Sequence, residues 1–582
     1  MRYTGARILI EALIEQGVDT VFGYPGGSVL FIYDELYRQR GRIRHILVSH
    51  EQHAAHAADG YARASGKTGV CIATSGPGAT NLVTGIAAAM MDSSPLVAIT
   101  GNVSTPLLGK DSFQEVDIAG VTMPVVKHNW IVEDVNELAE IVRSAFIVAK
   151  SGRPGPVLID IPKDVTAQKG EWSGLPHIAN VNDKQAVLGA RYHRLEAKNK
   201  RKLWNKADVE QAAALITHAE RPAIYAGGGV VISEASEELV KFAECINAPV
   251  ALSLMGIGAF PQEHPLCTGL LGMHGTIASN KVVQNANLLI AVGARFSDRV
   301  TSDIGTFAEN ANVLHFDIDP AEINKNIAAN GRVIGDIKET LALTRAALPE
   351  IVKNRWEDAI ETWKQEKPAS HQEYRNREIL HPRFVIEETE TCLERIGGMR
   401  GNVVAVTDVG QHQMWTAQFF KAGAPRSFIT SGGLGAMGFG LGAAVGAKMA
   451  CMDKSVVLFT GDGSFRMNCG EMATLSAYSL PILIVVFNNH VLGMVRQWQT
   501  LFYEGRYSET TLERPPDFVK LADAYGVAGF RAETEAEFLN ALEKACTELC
   551  KSKPALIEVV IDRDEKVLPM VPGGKPIHEQ LL

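Results

Sequence analysis

A carboxylate and an amide stand where two neighbouring strands of a predicted parallel sheet end. The run SVVLFTGDGS is an apolar strand closing on Gly461-Asp462-Gly463, and LPILIVVFNN closes on Asn489, with 24 residues between GDG and NN. One strand–helix–strand crossover separates them, so we expect Asp462 and Asn489 to meet at one sheet edge. Two hard oxygen ligands suit Mg²⁺, which usually completes its shell with phosphate oxygens and water. The glycines and the following helix start favour that phosphate, so the spacing predicts a site for Mg²⁺ and a diphosphate.

Three units that position such residues follow one another along the chain. In each, short apolar strands alternate with helices, a pattern that predicts a parallel sheet covered on both faces. We therefore predict an α/β fold of three doubly wound parallel-sheet domains, at 1–165, 206–345 and 381–560. A polar linker at 166–205, a charged helical linker at 346–380 and a Pro/Gly-rich tail at 561–582 complete this division.

The first and third units echo each other. Residues 71–102 and 456–489 both read strand, Gly-x-Gly, helix, Pro, strand and Asn, with 16 and 17 residues between the second Gly and the Pro. Two related outer domains could face each other across an interface, a natural place for a ligand. The alternative is a chance likeness between two βαβ units.

Composition excludes several classes of protein. The chain has 582 residues, 46% of them hydrophobic, which argues against a disordered or fibrous chain. A net charge of −9 argues against nucleic acid as the main partner. Two uncharged runs, 70–91 and 427–447, carry Gly, Ser and Thr throughout, which argues against a membrane span. Eight scattered cysteines without a CxxC pair indicate reduced thiols and a cytoplasmic protein.

The GDG…NN spacing resembles the thiamine-diphosphate-binding motif. The resemblance implies thiamine diphosphate and Mg²⁺ as cofactors, with the diphosphate on the third unit and the pyrimidine ring on the first. Enzymes of this class need a carboxyl group that hydrogen-bonds the aminopyrimidine, and the candidate is Glu51 in HILVSHEQHAAHAADGYARASG. The alternative is that Glu51 is only an acidic residue at a helix start.

Motifs along nearly the whole chain resemble the acetolactate synthases. They are GYPGGSVLFIYD (23–34), SHEQHAAHAADGYARASGKTGV (49–70), TSGPGATN (74–81), GARFSDRVT (293–301), SGGLGAMGFGLGAA (431–444) and LPMVPGGKP (568–576). The resemblance implies that pyruvate is decarboxylated and its hydroxyethyl unit joined to a second pyruvate or to 2-ketobutyrate. The products would be 2-acetolactate and 2-aceto-2-hydroxybutyrate, for branched-chain amino acid biosynthesis. It also implies a central Rossmann-like domain that binds FAD through Arg295, Asp317 and Asp319.

The resemblance assigns further site residues one by one. Val491 would give its backbone oxygen to the metal beside Asp462 and Asn489, and Trp498 would favour 2-ketobutyrate as acceptor unless it is simply a core residue. The remaining cofactor-binding positions are Gly410, Gln411, His412, Gly435, Met437, Gly461, Gly463, Ser464 and Met494. Catalytic positions that join Glu51 are Gly27, Phe113, Gln114 and Lys163.

Other readings of the sequence stay open at this point. A pyruvate oxidase or a sulfoacetaldehyde acetyltransferase would share the cofactor, and a catalytically silent scaffold would share the fold. Family practice implies a homodimer or homotetramer with sites between chains. Three domains and two linkers consume the chain, so a separate small regulatory subunit is expected.

Overall fold

Three six-stranded parallel sheets, each flanked by helices, make up the described part of the chain, which confirms the predicted α/β fold. The computed structural model describes residues 1–174, 203–349, 356–368, 371, 373–398 and 401–582. Most of the predicted linker 166–205 lies outside the described residues, as does part of the linker 346–380. No described helix is long and apolar enough to cross a bilayer.

The N-terminal unit holds the first of these sheets and a small antiparallel pair. Its strands are β1 (Arg2–Thr4), β2 (Thr20–Gly23), β3 (Arg44–Leu47), β4 (Gly69–Ala73), β5 (Leu96–Asn102), β6 (Asn129–Ile131), β7 (Pro156–Pro162) and β8 (Lys169–Glu171). Its helices are α1 (Gly5–Glu15), α2 (Leu30–Arg38), α3 (Glu51–Ser65), α4 (Pro77–Asn81), α5 (Val83–Met91), α6 (Ile118–Thr122), α7 (Leu138–Lys150) and α8 (Lys163–Ala167). The sheet order is β3-β2-β4-β5-β7-β6, and β1 pairs with β8.

The central unit has the strand order of a dinucleotide-binding sheet. Its strands are β9 (Pro222–Ala226), β10 (Val250–Leu252), β11 (Cys267–Leu270), β12 (Leu288–Val292), β13 (Asn312–Asp317) and β14 (Gly331–Ile334). Its helices are α9 (Lys206–Thr217), α10 (Gly228–Ile232), α11 (Ser236–Cys245), α12 (Ile277–Asn285), α13 (Asp298–Thr301), α14 (Ile337–Ala346) and α15 (Glu357–Gln365). The order β11-β10-β9-β12-β13-β14 reverses between β9 and β12, where such sheets bind ligands.

The C-terminal unit carries the GDG…NN segment. Its strands are β15 (Val403–Thr407), β16 (Phe428–Ile429), β17 (Ser455–Gly461), β18 (Ile482–Asn488), β19 (Ala528–Ala532) and β20 (Ala555–Val560). Its helices are α16 (Pro382–Gly397), α17 (Gln411–Phe419), α18 (Gly440–Ala450), α19 (Asp462–Asn468), α20 (Met472–Ala477), α21 (Gly493–Phe502), α22 (Phe518–Ala524) and α23 (Glu535–Cys550). The sheet order is β16-β15-β17-β18-β20-β19.

The two outer sheets repeat each other strand for strand. Reading their orders side by side equates β5 with β18 and β7 with β20. Each sheet also buries one Asn–acid pair at the same register: Asn102 donates to Asp160 on the neighbouring strand, and Asn488 donates to Glu558 at 2.6 Å. A shared strand order with a shared polar pair favours two related units over a chance likeness.

Helices α3 and α18 cross at very short range and join the two outer units. A Cβ atom on Gly446 would lie 1.8 Å from the Ala57 carbonyl oxygen, and one on Gly60 would lie 2.2 Å from that of Ala443. Only glycine allows the two backbones to come this close. The N-terminal and C-terminal units of one chain are therefore packed directly against each other.

The tail after β20 packs against the central unit. Val571 donates its backbone N–H to the carbonyl of Met273 at 2.8 Å, and the Asn280 amide donates to the carbonyl of Ile577 at 2.8 Å. The Ile577 side chain is fully buried. The Pro/Gly-rich composition predicted irregular structure, and these hydrogen bonds to the central unit hold the tail in place.

Candidate active site

Asp462 and Asn489 are brought together as their spacing predicted. Strands β17 and β18 pair in parallel with Gly461 opposite Phe487, so each polar residue follows directly on a neighbouring strand end. The Asp462 Oδ1 accepts from the Gly463 N–H at 2.9 Å, and the Asn489 Oδ1 accepts from the Val491 N–H at 3.2 Å. The Asp462 Oδ2 is buried and has no hydrogen-bond partner among the described residues.

The burial of Asp462 changes the ionisation of its carboxyl group. Desolvation raises the pKa of Asp462 to about 7, although backbone N–H groups of Gly463 and His490 offset part of that effect. A buried carboxylate with one open oxygen is costly unless a cation pairs with it. The donor set therefore fits Mg²⁺, which prefers oxygen ligands and phosphate.

A cavity opens above these strand ends, and all its lining residues belong to the C-terminal unit or its tail junction. It brings together most of the predicted cofactor positions. These are Gly410, Gln411, His412, Met437, Gly461, Asp462, Gly463, Ser464, Asn489, Val491 and Met494. Gly435 and Trp498 do not line this cavity.

His412 is held between two glycines of the cavity wall. A Cβ atom on Gly410 would lie 2.8 Å from the imidazole Cε1, and one on Gly461 would lie 2.8 Å from its Nδ1. Desolvation lowers the pKa of His412 to about 3, so the ring is neutral at physiological pH. Its Nε2 is a second buried polar atom without a partner among the described residues. Two orphaned atoms in one cavity fit a bound metal and diphosphate.

Glu51 begins α3, and its Oε2 accepts from the Asn81 amide at 2.9 Å. The segment around it is fixed by the C-terminal unit. The fully buried Glu471 accepts from the Ser49 N–H at 2.7 Å, and its Oε1 lies 2.9 Å from His53 Nδ1. Asn81 therefore holds the Glu51 side chain, and Glu471 holds the residues on both sides of it, Ser49 and His53.

Comparison with known proteins identifies the family. Models of the thiamine pyrophosphate enzyme family match the N-terminal domain at residues 3–121, the central domain at 209–343 and the C-terminal domain at 408–559. A probable acetolactate synthase large subunit of Methanocaldococcus jannaschii is 48% identical, with 98% of this chain and 94% of that protein covered. The chain belongs to the acetolactate synthase large-subunit family.

Bacterial members of this family are similarly close. The acetolactate synthase isozyme 2 large subunit of Escherichia coli is 45% identical over 99% of both chains. The large subunit of Corynebacterium glutamicum is 45% identical, with 98% of this chain and 89% of that protein covered. These full-length similarities support the synthase over the pyruvate oxidase, the acetyltransferase and the silent scaffold. The exact domain bounds set out above stay predictions.

The other catalytic candidates of the acetolactate synthase family lie in the N-terminal unit. Lys163 begins α8 directly after β7, and Gly27 lies in the turn after β2. Gln114 adopts a φ of 59°, and its backbone packs against Gly76. Phe113 is 88% exposed, which is unusual for an aromatic ring of a folded chain. None of the four lines the cavity in the C-terminal unit.

Trp498 lies on α21 beside the tail and is neither a fully buried core residue nor part of the cavity wall. Its ring centroid is 5.1 Å from that of Phe502, and a Cβ atom on Gly573 would lie 3.8 Å from the indole. Trp498 is half-buried, and its role in acceptor choice stays a prediction.

The predicted FAD residues follow the carboxyl ends of two adjacent strands of the central sheet, β12 and β13. Arg295 follows β12, and its carbonyl accepts from the Tyr225 hydroxyl of β9 at 3.0 Å. Asp317 ends β13, and its Oδ1 accepts from the Asp319 N–H at 2.9 Å. This placement matches the crevice of a dinucleotide-binding sheet.

Two residues that support the site, Asp92 and Glu471, were not predicted from the sequence, and the predicted Gln411 is fixed by partners that are distant along the chain. The Gln411 amide donates to Gln497 Oε1 at 3.0 Å and to the Glu565 carbonyl at 2.8 Å, so α21 and the tail fix it. Asp92 accepts from the Gly433 N–H at 2.6 Å and anchors the loop that leads to Met437. Glu471 clamps the segment around Glu51. The partners in these contacts lie 86 to 422 residues apart in sequence, so no local pattern reveals them.

Proposed function

We propose that this chain is the catalytic large subunit of an acetolactate synthase, acting on pyruvate with a second pyruvate or 2-ketobutyrate as acceptor. The observation that carries the proposal is the cavity at the β17–β18 edge. There the buried Asp462 Oδ2 and His412 Nε2 both lack partners among the described residues. Mg²⁺ would pair with the Asp462 oxygen, and a diphosphate oxygen would pair with the His412 nitrogen. The chain belongs to a family that binds thiamine pyrophosphate through this domain.

Each residue of the cavity has a part in holding the cofactor. Asp462, Asn489 and the Val491 carbonyl would hold Mg²⁺, a proposal supported by their position at the two strand ends. The neutral His412 and the Gly463 N–H would bind diphosphate oxygens. Thiamine diphosphate, once bound, supplies a carbanion centre and an electron sink.

Glu51 would move the proton that starts the reaction. Its carboxyl group would hydrogen-bond the aminopyrimidine ring and pass a proton to it, as general acid–base catalysis requires. Asn81 orients this carboxyl through Oε2, and the Glu471 clamp keeps the helix start in place. Met437, which lines the cavity and follows the loop that Asp92 anchors, would pack against the bound cofactor and support it.

We propose a homodimer as the minimum active unit, with a homotetramer as its possible assembly. The diphosphate cavity is built by one unit, while Glu51, Gln114 and Lys163 belong to another. The exposed ring of Phe113 supports a partner surface over the N-terminal candidates. Each complete site would then combine the C-terminal unit of one chain with the N-terminal unit of its partner.

Two further partners belong to the proposal. FAD would bind at the central switch point through Arg295, Asp317 and Asp319, supported by the strand order there. A small regulatory subunit would join the catalytic chain, supported by the large-subunit names of its relatives. The free cysteines of the chain are in keeping with a cytoplasmic location.

The test is a product assay on purified protein with pyruvate, in which acid converts 2-acetolactate to acetoin. The assay is run with and without thiamine diphosphate, Mg²⁺ and FAD, and then with 2-ketobutyrate added. We expect product only with the cofactors present, shifting to 2-aceto-2-hydroxybutyrate with the second acid. Oxygen uptake matching pyruvate consumption would instead identify an oxidase, and no pyruvate consumption would overturn the proposal.

A further inference from the structure

Two buried thiols face each other far from the cofactor cavity. Cys392 on α16 and Cys546 on α23 have their Sγ atoms 2.8 Å apart, and both side chains are buried. A disulfide bond is about 2.0 Å long, so bonding requires a movement of less than about 1 Å. The two helices already pack against each other behind the C-terminal sheet. The pair is therefore prearranged for a covalent link.

The surroundings make the two thiols unequal. A hydrogen bond that either sulfur can donate joins Cys546 to Cys392, and only Cys392 also accepts from the Arg395 guanidinium, at 3.6 Å. The hydrogen bond and the cation lower the pKa of Cys392 and outweigh its burial and the nearby Glu543 carboxylate. The same arrangement raises the pKa of Cys546. Cys392, beside the Arg395 cation, is thus the thiol of the pair that ionises more readily, and the thiolate is the nucleophile in thiol oxidation.

We propose that Cys392 and Cys546 form an oxidative modification site that reacts with a hydroperoxide and closes to a reversible disulfide. The Cys392 thiolate attacks one peroxide oxygen, the O–O bond breaks, and the released hydroxide takes a proton to form water. The Cys546 sulfur then attacks the Cys392 sulfur, the S–O bond breaks, and the second oxygen leaves as water with the remaining proton. Two thiols are oxidised by two electrons while one hydrogen peroxide is reduced to two waters.

The position of the link decides its effect. Cys392 and Cys546 are 154 residues apart in sequence, and closing a loop of that length restricts the unfolded chain strongly. Neither cysteine lines the cofactor cavity. The disulfide should therefore raise resistance to unfolding and leave turnover unchanged.

A third cysteine, Cys550, competes with this pair for an oxidant. Cys550 is exposed and lies one helical turn after Cys546 on the same face of α23. Exposure makes Cys550 the first thiol that an oxidant meets, but no hydrogen bond joins it to another thiol among the residues that the structure describes. Its reaction must be separated from that of the pair.

The experiment treats the full-length protein with increasing hydrogen peroxide, blocks the remaining thiols in denaturant and maps the peptides without reduction. We expect one cross-linked peptide joining Cys392 to Cys546, the simultaneous loss of both thiols, and their return with dithiothreitol. The unfolding midpoint should rise by at least about 2 °C with kcat unchanged. Cys550→Ser should keep the cross-link and the shift, and Cys392→Ser should lose both.

Two results would overturn the proposal. One is that both thiols stay open to alkylation at peroxide levels that fully oxidise Cys550. The other is a cross-link that uses Cys550 in place of Cys392. Because the peptide map is made on the unchanged protein, the conclusion holds even if Cys392→Ser fails to fold.

Discussion

Glu51 is the residue on which the proposed chemistry turns most directly. Glu51→Gln keeps the size of the side chain and the contact with Asn81, but it removes the acidic proton. We expect a folded variant that binds thiamine diphosphate with turnover at least about 100-fold lower, as for loss of a general acid–base group. The product assay and calorimetric cofactor binding measure the two effects separately.

The matched control for this change is Glu339→Gln. Glu339 also lies in the first turn of a helix, α14, but on the surface of the central unit. It should keep full turnover. A Glu51→Gln enzyme as active as this control would show that Glu51 is only a helix-start residue.

Asp160 is a buried acid that the catalytic proposal does not use, and it should set part of the pH dependence of stability. Desolvation raises the pKa of Asp160 to about 7, with Thr100 and Asn102 as its hydrogen-bond donors and Asp117 adding repulsion. In the unfolded chain the pKa is about 3.9. Between these two pKa values the folded chain holds a proton on Asp160 that the unfolded chain has released. The free energy of unfolding therefore falls as pH rises from about 4 to about 7.

The measurement is the unfolding midpoint of the wild type and Asp160→Asn across that pH range. The variant should be less stable overall, because its amide cannot accept the hydrogen bonds of both Thr100 and Asn102. Its stability should also depend less steeply on pH, because one titrating proton has been removed. The difference in slope is at most about 1.4 kcal/mol per pH unit. Parallel pH profiles would place the ionisation of Asp160 elsewhere.

At the scale of elements, the crossing of α3 and α18 is the contact with the least room for change. A Cβ atom on Gly446 would lie 1.8 Å from a backbone oxygen, and backbone cannot rotate away as a side chain can. Gly446→Ala should therefore lower the unfolding midpoint by several degrees or prevent folding, in line with an overpacking cost of about 1–3 kcal/mol or more. Thermal unfolding of the purified variants is the measurement.

Gly41→Ala serves as the control, because a Cβ atom there would meet nothing within 4 Å. It should leave the unfolding midpoint within about 1 °C of the wild type. Equal midpoints for both variants would mean that the two helices can separate without cost.

The elements themselves could be predicted well where chemistry and periodicity agree. The apolar runs before GDG and NN are strands β17 and β18, and their spacing placed Asp462 beside Asn489. Asp92 and Glu471 could not be found this way. They act through backbone N–H groups more than 300 residues distant, and such contacts leave no pattern in a single sequence.

At the scale of the whole molecule, the proposed site between two chains makes a prediction that a site within one chain does not. Glu51→Gln and Asp462→Ala should each be inactive alone, because each spoils both sites of a homodimer. In a dimer of one Glu51→Gln chain and one Asp462→Ala chain, one site contains both substitutions and the other site contains neither. Refolded or co-expressed mixtures should therefore recover about a quarter of the wild-type rate when chains pair at random.

The control mixes Glu51→Gln with Lys163→Ala, which change the same unit. Each site of that mixed dimer receives one altered unit, so little activity should return. Recovery in neither mixture would place Glu51 and Asp462 of one chain in the same site.

The matching strand orders of the outer sheets have a consequence for the history of the molecule. Two units with one topology and one buried Asn–acid pair indicate duplication of an ancestral gene for a single unit. After fusion, Pro77 stands in the GPG turn where the other copy has Asp462 in GDG. The two units thus differ at the turn position of the candidate metal ligand, while each retains a buried Asn–acid pair, Asn102–Asp160 in one and Asn488–Glu558 in the other.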